Sequence, residues 1–347
     1  MDQAFVSARP RLKIGPEERP DVADALQSLV VNLPLHGMSH AEVHLGYVGQ
    51  DAERGEPDYR FGEVALGDRV QIAFGSDQEI RVFDGEITAI EERYGEGAPR
   101  LVWLMQDSLH RLARSRHSRT FADQGLDDLI ETVASGAGLQ VDAQVSTATG
   151  TWYQINESDL GFLLRLIQPF GIALRLTGGR LRARPEDPDG EPVALDARAN
   201  ALTIRLIADL NHQPVATGVR GFNAAADEAA TSSANATSEA PTGSTAADLL
   251  RTLGWAGDEQ VPQPFARNQA LADAYAQGHF DRRARVFVSG DIACVGDPRL
   301  ASGRQVELSH VSDRLAGLYR VVHCVHRFDS ATGFRTQLRV SRADWGG

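Results

Sequence analysis

The sequence predicts an α+β fold that is mainly β, with β-structure at both ends of the chain and a small α/β domain between them. Apolar and polar residues alternate in the first hundred residues and again after residue 284, which is the period of half-buried strands. Between these regions, apolar residues recur at helical spacing. With 347 residues, 42% of them hydrophobic, the chain is long enough to bury more than one core.

The first β region contains five alternating segments, separated by Gly, Pro and Asp turns. They read SLVVNLPLHG, AEVHLGYVG, DRVQIAFGS, IRVFDGEITAIEERYG and RLVWLMQDSL. Such alternation predicts an antiparallel sheet or a small barrel over residues 1–115. Gly85 lies inside the fourth segment, where a glycine indicates a bulge or a close approach of another backbone.

A middle domain is predicted over residues 116–190, where the period becomes helical. In FADQGLDDLIETVASGAGL the apolar residues share one helical face, acidic residues occupy the first turn, and glycines end the helix. The segment TWYQINESDLGFLLRLIQPFGIALRL, residues 151–176, predicts a strand, a helix capped by Asn156 or Ser158, and another strand. The apolar stripe of this second helix consists of Leu160, Leu163, Leu164, Ile167 and Phe170. We expect the two helices to pack together as the scaffold of the domain.

The remainder of the chain alternates between strand patterns and a run of small residues. After a strand pair within 201–223, the region 224–263 begins with AAADEAATSSANATSEAPTGST, which contains no large apolar residue. This composition predicts a flexible loop or linker, followed by a short helix. A helix near 266–278 then opens a second β domain over 264–347.

Charge and composition argue against several classes of function. The chain has 35 Lys and Arg against 47 Asp and Glu, a formal charge of −12, which disfavours binding to nucleic acid or anionic membranes. Four arginines between residues 111 and 119 form a basic cluster, which is typical of a solvated segment between domains. Cys294 and Cys324 indicate buried thiols in a reducing compartment. No apolar run reaches membrane-spanning length, and the polar start predicts synthesis and assembly in the cytoplasm.

Two sets of residues could carry chemistry, and each has a simpler explanation. His323, Cys324 and His326, with Cys294, are zinc-ligand types, but strand alternation directs His323 away from the other two. The acidic pairs are Glu91 with Glu92, Asp127 with Asp128, and Glu157 with Asp159. Solvated strands and first helical turns account for these pairs, because carboxylates are favourable at a helix N-terminus. The sequence contains no nucleophile elbow, phosphate loop or HExxH helix, so it predicts no catalytic, metal-binding or cofactor-binding residue.

The four tryptophans, Trp103, Trp152, Trp255 and Trp345, are the aromatic candidates for a ligand or protein contact. Trp103 and Trp152 lie in predicted strands, where core packing is the usual role. Trp345 lies in the tail RADWGG, where no core is evident. It therefore predicts either a contact with another protein or a disordered tail.

Four blocks, taken in order, resemble the phage late control protein D family, the central baseplate hub of contractile tails. The blocks are VFDGEITAIEERYG at 82–95, TFADQGLDDLIETVASGAGL at 120–139, the segment 151–176 quoted above, and FVSGDIACVGDPRLASGRQVEL…GLYRVVHCVHRFDSATGFRTQLRVSR at 287–342. The most specific piece is the closing pattern H-x-F-D…G-F-x-T-x-L-x-V-x-R. The hub part of the VgrG spikes of type VI secretion is similar, as are hubs of extracellular injection particles. The chain does not continue into the OB-like domain and β-helix of those spikes, so any piercing role is expected to belong to a separate protein.

The resemblance implies two tube-like antiparallel β-barrel domains with an intervening small α/β domain. The first would comprise residues 1–115 with return strands from 190–223, and the second residues 264–347. Three chains would then form a homotrimeric ring with pseudo-six-fold symmetry, which matches a hexameric tail tube ring on one side and a trimeric spike on the other. Other baseplate proteins or a cargo effector are further expected partners. The finished protein would leave the cytoplasm as part of a phage tail or injection particle.

The leading hypothesis from the sequence is a structural hub without enzymatic activity. The alternative is a hub-like protein that hydrolyses peptidoglycan or protein, which would need titratable groups converging in a pocket. Trp345, Phe328 and Phe334 are the candidate assembly contacts. The structural scaffold consists of Ser158, Leu160, Leu163, Leu164, Ile167 and Phe170.

Overall fold

The computed structural model describes residues 9–49, 58–75, 79–95, 97–145, 149–185, 188 and 190–346, and these ranges form a mainly β, α+β structure, which confirms the predicted fold class. The strands are β1 Arg11–Ile14, β2 Glu17–Glu18, β3 Leu26–Pro34, β4 His40–Gly46, β5 Val48–Gly49, β6 Asp58–Tyr59, β7 Arg69–Phe74, β8 Ile80–Arg93, β9 Arg100–Gln106, β10 Arg116–Gln124, β11 Gln140–Ala143, β12 Gly150–Ser158, β13 Ile172–Thr177, β14 Arg180–Pro185, β15 Val193–Asp196, β16 Ala201–Ala208, β17 Ala216–Asn223, β18 Glu228–Ala234, β19 Ser244–Thr245, β20 Asp258–Ala266, β21 Val288–Val295, β22 Gln305–Ser309, β23 Gly317–Asp329, β24 Gly333–Arg342 and β25 Asp344–Trp345. The helices are α1 Pro20–Ala25, α2 His110–Arg114, α3 Leu126–Gly136, α4 Asp159–Ile167, α5 Ala246–Leu253 and α6 Gln269–Ala284, with a 3-10 turn Gln168–Phe170 after α4. Within the described ranges, no helix has the length and hydropathy needed to cross a membrane.

Thirteen strands form one sheet that runs through both β regions. Its path is β16–β21–β24–β23–β3–β4–β9–β8–β7–β1–β2, and β22 and β15 branch from β23. The two regions meet where β3 pairs antiparallel with β23, from Ser28 opposite Asp329 to Pro34 opposite His323. Each region keeps a hydrophobic core of its own. Main-chain hydrogen bonds therefore join the two β domains directly.

Strand β23 changes partner at a bulge between Val321 and His323. Its first part pairs with β22 and its second part with β3. A bulge bends a strand and allows it to pass from one sheet layer to another. Accordingly, Tyr319 and Cys324 lie in the second β core, while Phe328 of the same strand lies in the first. One strand thus contributes to both cores.

A third core belongs to the middle domain. It gathers side chains from α2, α3, α4 and β10 to β14, together with residues of β17, β18, β20, α5 and α6. Helix α4 begins at Ser158, whose hydroxyl accepts a hydrogen bond from the Gly161 amide at 3.1 Å. Asn156, the alternative cap, lies in strand β12 with a positive φ of 47°. Gly171, with φ 64°, supplies the left-handed residue that ends the turn after α4.

The strands of 190–223 do not return to the first β region as expected. Strand β15 pairs with β22, and β16 pairs with β21, so both extend the second region. Strand β17 instead joins β18 and β20 in a separate three-stranded sheet of the middle domain. The reason is packing, because Ile204 and Leu206 of β16 lie against the second β core.

Most of the predicted linker 224–263 is regular structure. Strand β18 pairs with β17 along its whole length, and the expected short helix is α5. Ala230 and Ala234 of β18 are buried in the middle core with Ala272 and Ala276 of α6. Small side chains let a helix approach a sheet closely, so the missing large apolar residues reflect close packing. Helix α6 likewise belongs to the middle core and does not open the second β domain.

The expected close approach at Gly85 is confirmed. A Cβ atom on Gly85 would lie 2.4 Å from the carbonyl oxygen of Gln106 on β9. No other residue type fits at that distance, and the neighbouring register shift between Ile87 and Ala89 lies on the same strand.

Candidate assembly surfaces

Phe328 and Phe334, predicted as assembly contacts, are core residues. Both are buried in the first β core, and they lie opposite each other across the β23–β24 hairpin. Phe334 stacks on Phe74 of β7 with 3.8 Å between ring centroids and an interplanar angle of 4°. The hairpin of the second region therefore carries two aromatic rings into the core of the first. Their aromatic character serves the contact between the two β domains, so neither ring is available to another protein.

Trp345 does not lie in a disordered tail. Strand β25 pairs with β19, with Trp345 opposite Ser244, and the half-buried indole packs against the second β core. The preceding Asp344 carboxylate accepts hydrogen bonds from the Thr242 amide at 2.6 Å and the Gly243 amide at 2.9 Å. The exposed part of Trp345 is thus held on a fixed strand.

The scaffold residues of α4 lie in the middle core. Leu160, Leu163 and Ile167 are buried, whereas Leu164 and Phe170 are partly buried against the same core. Phe162 and Leu166 are buried as well, although the predicted stripe omitted them. Helix α4 contacts α2, α3 and strands β12 and β13. A helix covered from several sides needs a wider apolar surface than a single stripe.

Three of the six residues in the acidic pairs, and two of the four clustered arginines, form ion pairs. Arg165 donates to Glu157 at 3.1 Å between Nε and Oε2, and this hydrogen bond lowers the pKa of Glu157. Arg119 binds Asp159, and Arg93 binds Glu91 at 2.8 Å. The further pair between Arg111 of α2 and Glu86 of β8 links the first β region to the start of the middle domain. The cluster is therefore more than a solvated segment.

The zinc-type residues fall on two sides of β23, as strand alternation predicts. His323 contacts the Asn32 amide, while Cys324, His326 and Cys294 are buried on the core side. His326 bonds the Thr336 hydroxyl through Nδ1 and the Leu300 carbonyl through Nε2, both at 3.0 Å. Burial raises the pKa of the Cys294 thiol to about 12, which keeps it protonated. In the part of the chain that the structure describes, no three His, Cys, Asp or Glu residues are arranged to hold a metal ion.

Because His326 is buried, we expect the protein to lose stability in acid. Burial lowers the pKa of its imidazole from its ordinary 6.5 to about 4. The unfolded chain then binds more protons than the folded chain between pH 6.5 and 4, so stability is lost as pH falls through this window, by about 3 kcal/mol in total. Urea unfolding of the wild type and of His326→Gln at pH 7 and 4.5 measures this. The advantage of the wild type should shrink by about 2 kcal/mol at the lower pH, and a difference that does not change with pH would contradict the assignment.

Strand β16 forms an open edge of the large sheet. Among the described residues it pairs only with β21, so its outer side carries eight residues without a strand partner. Leu202 and Ile207 are 50% and 54% exposed, and Ile204 and Leu206 on the core side are partly buried. A long apolar edge is a template for pairing with another chain. At the other end of the sheet, β2 has two residues, Glu17 and Glu18.

The outer edge of β12 in the middle domain is protected, in contrast to that of β16. Arg165 donates to the Tyr153 carbonyl at 2.9 Å, and Arg267 donates to the Thr151 carbonyl at 3.2 Å. Alternate carbonyls of a strand point the same way, so the two arginines occupy positions that a further strand would use. Beside them lies an open groove of about 690 Å³. Its lining includes Trp152, Tyr153, Ile155, Phe265, Leu271 and Tyr275.

The fold is similar to that of two solved phage tail proteins and of a type VI secretion component. The 43 kDa tail protein of prophage MuSo2 from Shewanella oneidensis matches with a TM-score of 0.74 at 14% identity, over 97% of this chain and 99% of that one. A tail protein from Neisseria meningitidis MC58 matches with a TM-score of 0.68 at 12% identity, over 97% and 96% of the two chains. The E. coli c3393 protein matches at 0.57 and 11%, over 97% and 76%. It is described as a type VI secretion component with structural similarity to the T4 tail proteins gp27 and gp5.

At these identities the likeness establishes the fold. A search of curated proteins gives no match. A family model described as the Alg8 N-terminal domain matches residues 27–329, which is most of the chain. The chain therefore belongs to the Alg8 N-terminal domain family.

Proposed function

We propose that this protein is the structural, non-enzymatic baseplate hub of a phage tail or a related contractile injection particle. It acts as a homotrimeric ring between the tail tube and the spike. The fold shared with two phage tail proteins and a type VI secretion component supports such a role. The observation that carries the proposal is the thirteen-stranded sheet, which unites both chain ends and leaves the long edge of β16 open.

The two ends of this sheet differ, which favours a ring. One end is β16, eight residues long with exposed Leu202 and Ile207, and the other is the short, acidic β2 beside β1. A contact between unlike edges is head-to-tail, and such a contact closes into a ring when the rotation allows it. Closure would also cover the apolar side of β16, since a closed sheet has no free edge.

The symmetry of the ring follows from the two β cores in each chain. Three copies would present six β domains, which suits a hexameric tube ring on one side, while the true three-fold axis suits a trimeric spike on the other. The similarity of c3393 to two T4 tail proteins supports a place among tail components. Other baseplate proteins or a cargo effector are further partners in this proposal.

A purely structural role agrees with the state of the acidic residues. Glu157, Asp159 and Glu91, which a hydrolytic site would need to use, each bind an arginine side chain. Glu157 and Arg165 line the groove of the middle domain as a pair. Carboxylates held in this way connect strands and helices, which is a structural use of these side chains.

Charging the edge of β16 tests the proposal. In the double variant Leu202→Lys and Ile207→Lys, two exposed positions change, so the chain should fold with a stability within about 1 kcal/mol of the wild type. Lysines on an edge strand oppose pairing with another strand, so the trimer should dissociate into monomers. Light scattering coupled to size exclusion, in the presence of the trimeric spike, measures the mass.

The matched control is Ile155→Lys, which changes a residue that is 74% exposed on β12, a strand outside the thirteen-stranded sheet. This variant should assemble like the wild type. A folded double variant that still assembles as a trimer would show that β16 is not the interface.

A further inference from the structure

We propose that Tyr47, Tyr59, Tyr94 and Glu92, at one end of the first β core, form a recognition site for the guanidinium or ammonium group of another protein. The four residues are called the tyrosine–glutamate site below. This proposal is separate from the ring, because it concerns the surface of a single chain and can be tested on that chain. The occupant is an arginine or lysine side chain of a protein that docks at this end of the sheet.

The three rings form a compact triangle. Their centroids are 5.0 Å apart for Tyr47 and Tyr59, 6.4 Å for Tyr47 and Tyr94, and 6.0 Å for Tyr59 and Tyr94. Tyr59 and Tyr94 meet edge to face at 83°. A cation above this triangle would lie within about 6 Å of each centroid, the range in which the quadrupole of an aromatic ring attracts a cation.

The carboxylate of Glu92 completes the site. It accepts a hydrogen bond from the Tyr47 hydroxyl at 2.8 Å and another from the Tyr94 hydroxyl at 2.5 Å, one on each oxygen. The hydrogen bond from Tyr94 is the main reason that the pKa of Glu92 is lowered, so the group is charged at neutral pH. Each oxygen keeps a lone pair for a further donor. The two tyrosines therefore fix a charged acceptor in one orientation.

Two of the three rings face solvent. Tyr59 is 46% exposed and Tyr94 is 55% exposed, whereas Tyr47 is buried and anchors the site to the first β core. Burial in the core explains the position of Tyr47, but it does not explain the exposed rings of Tyr59 and Tyr94. Two large aromatic rings beside a fixed carboxylate are the composition found in the anchors of protein interfaces, where Tyr and Arg dominate the binding energy.

Among the described residues, the cations near the site bind other groups or face away from it. Arg93 binds Glu91, and its cross-strand neighbour Arg100 shares its side of the β8–β9 hairpin, opposite to Glu92. Arg60 lies over the Phe61 ring at 4.8 Å and donates to the Asp21 carbonyl. Within the described ranges, no lysine, arginine or histidine forms a salt bridge with Glu92. A carboxylate that is ionised, oriented and without a counter-ion among the described residues is suited to an external cation.

Ligand-observed NMR titration tests this with small probes that carry the group. N-acetyl-arginine amide and N-acetyl-lysine amide should both bind the full chain, with dissociation constants in the millimolar range, whereas the neutral N-acetyl-citrulline amide should bind at least about fivefold more weakly. In Glu92→Gln, affinity for the arginine probe should fall at least about fivefold. Tyr59→Leu, which removes one exposed ring, should weaken the same probe.

The matched control is Glu91→Gln, which changes the adjacent carboxylate on the opposite face of β8 and should leave binding of the arginine probe unchanged. All three positions are exposed, so circular dichroism should report a folded chain for each variant. Equal binding of the arginine and citrulline probes, or equal loss in Glu91→Gln and Glu92→Gln, would overturn the proposal. The oligomeric state does not enter either comparison, so this test and that of the ring fail independently.

Discussion

Leu163→Asp is expected to unfold the middle domain. Leu163 is fully buried at the centre of α4, in the core that also holds α3 and α6. An aspartate at this position either buries an unpaired charge or forces the helix off its neighbours, at a cost of more than about 4 kcal/mol. That is a large part of the ~5–15 kcal/mol by which a domain is usually stable. Near-ultraviolet circular dichroism and limited proteolysis measure the loss, and the variant should fail to enter particles.

The control on the same segment is Glu157→Ala. It removes the ion pair with Arg165 at the exposed start of α4, where such a pair contributes about 0–1 kcal/mol. This variant should fold, assemble and deliver like the wild type. Particles that assemble with Glu157→Ala but lose delivery would contradict the structural role and favour the hydrolytic alternative. A folded Leu163→Asp would contradict the place given to α4 in the core.

Phe334→Ala is expected to destabilise the contact between the two β domains by about 3–5 kcal/mol. The ring is fully buried, stacks on Phe74, and lies in the first β core although its strand belongs to the second region. Its removal leaves a cavity at the point where β23 and β24 enter the first domain. Urea unfolding of the full chain measures the change.

The matched control is Phe265→Ala, which removes the same ring from a position that is 56% exposed. Its effect should stay within about 0.5 kcal/mol, because truncation there leaves no buried cavity. If both variants lost the same stability, Phe334 would have no special role in joining the domains.

Local patterns in the sequence predicted helix α4 and its ends well. The cap and stop signals of α4 depend on Ser158 and Gly171 alone, because a cap hydroxyl and a left-handed glycine act within one turn. The close approach at Gly85 was predictable from the glycine itself, because a glycine inside a strand pattern indicates that another backbone comes close, here that of Gln106 on β9. Helix caps and stops depend on residues within one turn, so a local sequence pattern is enough to predict them.

The errors concern contacts between distant segments. The sequence analysis proposed Phe328 and Phe334 as assembly contacts, because nothing local says that these rings enter the first β core, which lies more than 200 residues earlier in the chain. The small residues of 224–245 follow the composition of a linker, whereas their true constraint is the surface of α6. The sequence analysis also did not reveal the open edge of β16 or the tyrosine–glutamate site. Strand order decides the first, and three separate segments build the second.

The mass of the protein in the presence of its spike tests the ring most directly. Multi-angle light scattering of the purified chain mixed with the trimeric spike protein separates the possible assemblies, because each chain adds 37.6 kDa. The proposed hub predicts a complex that contains three copies of this chain for each spike trimer, and the complex should be lost in the Leu202→Lys and Ile207→Lys double variant. A complex with one or two copies, or a chain that stays monomeric in the mixture at every concentration, would contradict the trimeric ring.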